Sequence, residues 1–64
     1  MAASKTLSER EKQVARYAAN GLSNPEIAEI LVLSVRTVES HMYRVLRKLG
    51  LSQRGELVGM RSQL

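Results

Sequence analysis

The side chains best suited to chemistry in this sequence are positive charges gathered in one segment. Residues 34–49 contain four basic side chains: Arg36, Arg44, Arg47 and Lys48. Only Glu39 opposes them, so this segment carries +3 of the chain's net charge of +4. A localised positive patch attracts polyanions, and it is the pattern that nucleic-acid binding typically leaves in a sequence. The alternative is a solvated helix face on which basic residues cluster by chance.

Catalytic and metal-binding groups are scarce. The 64 residues include one histidine, two tyrosines and no cysteine. Ser40 and His41 are adjacent on a predicted helix and point apart, and no acid is placed to orient the imidazole, so a nucleophile and a base are not paired. A single histidine without cysteine does not make up a set of metal ligands. We therefore expect no enzyme activity, no metal and no cofactor, and we interpret His41 as a packing residue.

Length and composition predict one small domain. With 44% hydrophobic and 25% charged residues, the chain has the composition of a globular protein rather than a disordered one. No run approaches the roughly 18 apolar residues of a membrane span, so we expect a cytoplasmic protein with no membrane partner. Residues 1–5 lack periodicity and are predicted to be a flexible leader, whereas residues 6–64 are predicted to form the domain.

Two helices are predicted before the basic segment. Ser8 and Glu11 have the spacing of a capping box, in which each side chain binds the backbone N–H of the other, and this pattern starts the first helix. The second helix is short and starts at Ser23 or at Asn24. The capping-box spacing favours Ser23, whereas Pro25 prefers the first helical position and favours Asn24.

The third predicted helix is the longest element, starting at Ser34 and covering about residues 35–49. An apolar stripe at helical spacing marks its inward side: Val38, Met42, Val45, Leu46 and Leu49. The remaining arc is polar and basic, and Gly50 ends the helix because glycine accepts the left-handed conformation of that position. The helix therefore has one face for a core and another for a partner.

A fourth helix is predicted after Ser52, although Gly55 and Gly59 each disfavour a helix interior by about 0.5–1 kcal/mol. Leu57 is expected to seal the core. Three further apolar side chains exceed what a short terminal helix buries, and they are candidates for a weak homodimer surface that strengthens on DNA: Val58, Met60 and Leu64.

A short helix, a tight connection and a longer basic helix with an apolar back are typical of a helix-turn-helix DNA reader. We therefore predict an all-α, four-helix domain whose third helix is the recognition helix. Its expected function is sequence-specific binding of double-stranded DNA in the regulation of transcription. Two alternatives stay open: a helical protein-interaction module, which predicts no salt-dependent DNA binding, and a sigma-factor-like promoter-reading domain, which predicts affinity for core RNA polymerase.

Four short strings, followed by Arg54 and Glu56, support this prediction. They are LSERE at 7–11, GLSNPEIA at 21–28, TVESH at 37–41 and KLGL at 48–51. Together they resemble the C-terminal DNA-binding domain of LuxR-type (GerE-like) bacterial transcriptional regulators. The resemblance implies a third helix in the major groove, a second helix that braces it and a fourth that contributes to a dimer. RNA polymerase is expected as a further partner.

The resemblance also implies roles for individual residues. Glu39, Ser40 and Tyr43 stand where members of the family commonly contact base edges. Candidates for phosphate contacts lie along the third helix and at the two helix starts: Ser23, Asn24, Ser34, Arg36, Thr37, Arg44, Arg47 and Lys48. Glu39 occupies a position at which many members of the family have a lysine. A carboxylate facing DNA is expected either to accept from a cytosine N4 amine or to brace a neighbouring arginine.

Overall fold

The computed structural model describes residues 6–64, and that part of the chain contains helices and no strand. The elements are α1 (Glu9–Ala19), α2 (Asn24–Leu31), α3 (Val35–Leu49) and α4 (Glu56–Gly59), followed by a single 3-10 turn at Arg61–Gln63. The predicted all-α fold of four helices is confirmed. The predicted leader, residues 1–5, lies outside the described residues. Within residues 6–64, no helix has the length and apolar character needed to cross a membrane.

Serine caps start the first two helices as the sequence predicts. Ser8 Oγ accepts the backbone N–H of Glu11 at 3.2 Å, and Glu11 Oε1 accepts the backbone N–H of Ser8 at 2.9 Å. Ser23 and Glu26 form the same reciprocal pair at 3.3 and 2.8 Å. Ser23 is therefore the cap of α2, which decides between the two predicted starts. Pro25 fits inside the first turn, where a backbone N–H has no partner within the helix.

Val32 makes the tight turn between α2 and α3. Its backbone is left-handed, with φ 57° and ψ 51°, and 87% of its surface is exposed. The N–H of Leu33 donates to the carbonyl of Ala28 at 2.9 Å and closes the end of α2. A β-branched residue in this conformation costs roughly 1–2 kcal/mol, because its Cβ crowds the backbone. The sequence carries no glycine to mark this turn, so the strained conformation of Val32 could not be predicted.

The core lies between α1 and α3 and is closed by α2 and α4. Its buried apolar side chains are Val14, Ala15, Ala18, Ala19, Ile27, Ala28, Val38, Met42, Val45 and Leu57. The predicted inward stripe of α3 is confirmed: three of its members are buried, and Leu46 and Leu49 pack partly buried against the core. Because the stripe fixes the rotation of α3 about its axis, it also fixes which side chains face outward.

The fourth helix is much shorter than predicted, so the predicted start after Ser52 was wrong. The chain passes through bends and turns at 52–55 before α4 begins at Glu56. Glu56 Oε1 accepts the backbone N–H groups of Ser52 and Gln53 at 2.8 and 3.2 Å, which stabilises this turn. Two glycines in nine residues weaken any longer helix. Leu57, with no exposed surface, seals the core as expected.

Candidate nucleic-acid interface

The N-terminal end of α3 is exposed and capped by Ser34. Ser34 Oγ accepts the backbone N–H of Thr37 at 3.0 Å and donates its own proton to Thr37 Oγ1 at 2.8 Å. Both residues were predicted to meet phosphate. The structure places them side by side at the start of α3, where unpaired N–H groups favour an anion.

The outer face of α3 holds a shallow open groove. Its lining side chains are Arg36, Glu39, Ser40, Tyr43 and Arg44. All five are exposed, whereas the intervening Val38 and Met42 are buried on the opposite side of the helix. The three residues predicted to contact bases are thus brought together, with an arginine at each end. Polar and basic side chains of these types can contact base edges and phosphates.

Tyr43 is held by Arg47, one helical turn away. Arg47 Nη1 donates to the Tyr43 hydroxyl oxygen at 3.1 Å, and the guanidinium carbon lies 5.6 Å from the centroid of the ring. At this distance a cation over an aromatic face is attracted by the ring. Tyr43 nevertheless stays 62% exposed. The contact restricts the ring while leaving its outer edge free, and the sequence spacing alone did not predict it.

Lys48, one of the residues predicted to contact phosphate, contacts two groups within the domain. Its Nζ lies 2.7 Å from Glu11 Oε1 and 3.2 Å from the carbonyl oxygen of Thr6, and only 24% of the side chain is exposed. Glu11 is only 4% exposed, and the ammonium of Lys48 is the chief cause that lowers the pKa of its carboxyl group. The ammonium of Lys48 is thus paired with a buried carboxylate of its own domain.

Arg54 fixes the start of α2 from the turn before α4. Its Nη1 donates to Asn24 Oδ1 at 2.6 Å, and its Nη2 donates to the carbonyl of Leu22 at 2.8 Å. The side-chain oxygen of Asn24 is therefore engaged, and only its amide hydrogens could reach a phosphate. Sequence reasoning noted Arg54 only within the family resemblance and gave it no role. The periodicity of the sequence does not indicate a contact between two residues 30 positions apart, such as Arg54 and Asn24.

The three residues predicted for a dimer surface differ in their exposure. Val58 is 50% exposed, whereas Met60 is partly buried. Leu64 packs against the core, and its carbonyl accepts the Nε–H of Arg16 at 2.8 Å. Val58 is therefore the most exposed of the three candidates, and Leu64 also packs within its own domain.

His41 lies half-buried on α3, and its Nδ1 is buried without a hydrogen-bond partner within residues 6–64. The position of His41 agrees with its interpretation as a packing residue. Across the described part of the chain, no three side chains among His, Cys, Asp and Glu come close enough to hold a metal ion.

The fold and the groove together define a helix-turn-helix DNA-binding domain, with α2, the turn at Val32 and the exposed face of α3 as its parts. The chain matches the family described as "Bacterial regulatory proteins, luxR family" over residues 5–61, and it belongs to that family. Its function is accordingly DNA binding in transcriptional regulation. The family is one of regulatory DNA-binding domains rather than enzymes, and neither predicted alternative is favoured.

Curated relatives agree with the family. The chain is 52% identical over 52 residues to the Fimbriae Z protein of Salmonella typhimurium, covering 81% of this chain and 25% of that protein. It is 48% identical over 54 residues to the Oxygen regulatory protein NreC of Staphylococcus aureus, covering 84% of this chain and 25% of NreC. The chain thus spans about a quarter of the length of these relatives. No solved structure matches it significantly.

Proposed function

We propose that this domain binds double-stranded DNA with α3 in the major groove. Glu39, Ser40 and Tyr43 face base edges. The phosphate contacts come from the remaining predicted set: Ser23, Asn24, Ser34, Arg36, Thr37, Arg44 and Arg47. The observation that carries the proposal is the groove on α3, because it unites three polar readers with two arginines on a helix whose other face is buried. In this proposal the domain is a cytoplasmic binding module without catalytic activity.

A binding assay tests the position of this surface. At low salt, the wild type is expected to bind a duplex of random sequence, and the double variant Arg36→Ala/Arg44→Ala to bind at least tenfold more weakly. The matched control is Arg10→Ala/Arg61→Ala, which removes the same charge from exposed positions on α1 and the closing turn. Equal losses in the two double variants would place the DNA on another surface.

We further propose that two copies pair weakly through α4 and pair cooperatively on adjacent half-sites. Support comes from Val58, which is half exposed on α4, and from Met60 beside it. A symmetric pair opposes the same patch on both copies and aligns two recognition helices about one DNA turn apart. The small size of the patch favours weak association in the absence of DNA. Contact with RNA polymerase is part of the proposal, without assigned residues.

The pairing is tested with duplexes that carry one half-site or two. The wild type is expected to bind the paired sites with a cooperative gain of about tenfold, and Val58→Asp to abolish that gain while preserving binding to the single site. The control is Ser62→Asp, which adds the same single negative charge at an exposed position four residues away. A gain that survives Val58→Asp rules out α4 as the pairing surface.

A further inference from the structure

Glu39 is the one acidic side chain lining the groove on α3. It lies one turn after Arg36 and one turn before Tyr43, and its side chain is exposed. Within residues 6–64 it forms neither an ion pair nor a side-chain hydrogen bond. Bracing of a neighbouring arginine, one of the two roles predicted for it, is therefore not present in the DNA-free domain. Its carboxylate is free to accept from a ligand.

A carboxylate distinguishes the four bases by their hydrogen-bond donors. In the major groove, guanine presents only acceptors, at N7 and O6, and thymine presents the O4 acceptor and a methyl group. Adenine has an N6 amine, but its N7 acceptor lies beside that amine and repels a negative charge. Cytosine presents its N4 amine without an adjacent acceptor on the same base. Glu39 is thus matched best to cytosine.

The contact between Arg47 and Tyr43 assigns the complementary role to Tyr43. Because Arg47 Nη1 donates to the phenolic oxygen, one acceptor position of that oxygen is occupied. The hydroxyl proton is then directed away from Arg47 and can be donated. Guanine, the base paired with cytosine, offers two acceptors in the same groove. Glu39 as acceptor and Tyr43 as donor, four residues apart on one face, therefore match the two edges that C·G pairs present.

We infer that Glu39 is a specificity-determining residue that selects cytosine, and that Arg47 is a positioning residue that orients Tyr43 to donate to guanine. The inference rests on the proposed function, since it requires α3 to lie in the major groove. In this inference Glu39, the acidic residue of an otherwise basic surface, takes part in recognition of the base sequence. The unfavourable approach of a carboxylate to DNA is offset only where a base amine meets it.

Selection of bound duplexes from a random pool tests the role of Glu39. The wild type is expected to enrich sites with one cytosine that it prefers about tenfold or more over guanine. Glu39→Gln is the matched variant, because glutamine keeps the shape and binds adenine through N6 and N7. We expect Glu39→Gln to select adenine at the position where the wild type selects cytosine, and to keep the wild-type preferences at the other positions of the site. Enriched sites that are the same for both proteins overturn the inference alone, whereas no enrichment by the wild type overturns the proposed function as well.

A second pair of variants tests the role of Arg47. Arg47→Lys keeps the positive charge but cannot reproduce the planar contact with the ring and hydroxyl of Tyr43. Tyr43→Phe removes the donor itself. Both are expected to weaken the preference for guanine at a neighbouring base pair, contacted by Tyr43, while the preference for the cytosine contacted by Glu39 persists. If Arg47→Lys retains the full base preference, then Arg47 does not position Tyr43, and a uniform loss of affinity for all sequences would leave it the phosphate contact alone.

Discussion

Replacing Lys48 with methionine is expected to lower the free energy of unfolding by about 2–4 kcal/mol. Methionine keeps most of the apolar stem of lysine, so the loss reports on the charge. The ammonium lies 2.7 Å from Glu11 Oε1, and Glu11 is only 4% exposed. Removing one member of such a pair leaves a buried carboxylate without its cation. A domain of this size is stabilised by only a few kcal/mol, so the loss is large.

Lys12→Met is the matched control for this prediction. Lys12 lies 3.6 Å from Glu9, but the two side chains are 42% and 91% exposed. An exposed pair contributes little, so we expect a change below about 0.5 kcal/mol. Chemical unfolding of the wild type and both variants measures the difference. Equal effects of the two substitutions would contradict the structural role of Lys48.

The same pair predicts a dependence on pH. The pKa of the Glu11 carboxyl is lowered in the folded domain from its ordinary value of 4.5, first by the hydrogen bond from Lys48 and then by the backbone of Ser8. A lowered pKa means that the pair contributes fully above about pH 4.5 and that this contribution is lost as the pH falls through the folded value. The stability gap between wild type and Lys48→Met should therefore narrow below pH 4.5. A gap that stays constant with pH would show that the carboxylate is not involved.

Met42→Ala is expected to lower the free energy of unfolding by about 2–5 kcal/mol, because Met42 is only 6% exposed and packs from α3 into the core. Tyr43→Ala provides the comparison from the next residue along the helix. Tyr43 is 62% exposed, so its removal should change the free energy of unfolding by about 0.5 kcal/mol while altering DNA binding. Thermal or urea unfolding measures both variants. If Tyr43→Ala unfolds the domain as readily as Met42→Ala, then the assignment of the two faces of α3 is wrong.

Local sequence signals predicted most of the fold. The serine caps of α1, α2 and α3 depend on residues three positions apart, and the inward stripe of α3 depends on helical periodicity. Both signals lie within one or two turns of chain. For the same reason, the sequence predicted which side of α3 faces outward, because that side is opposite the buried apolar stripe.

Contacts between distant residues could not be predicted in this way. The ion pair of Lys48 and Glu11 joins residues 37 positions apart, and the contact of Arg54 with Asn24 joins residues 30 apart. Neither has a periodic signal, and a basic residue on α3 looks equally suited to phosphate until its buried partner is known. Val32 is a further case, because it adopts a left-handed conformation that a β-branched residue disfavours.

The central claim, that the outer face of α3 binds the DNA backbone and bases, is tested most directly by the salt dependence of duplex binding. Three arginines, Arg36, Arg44 and Arg47, lie on or beside this face, so the plot of log affinity against log salt should have a slope of about −3 for each bound copy. Arg36→Ala/Arg44→Ala should reduce that slope to about −1, and Arg10→Ala/Arg61→Ala should leave it unchanged. A slope near zero for the wild type, or the same reduction in both double variants, would contradict the claim.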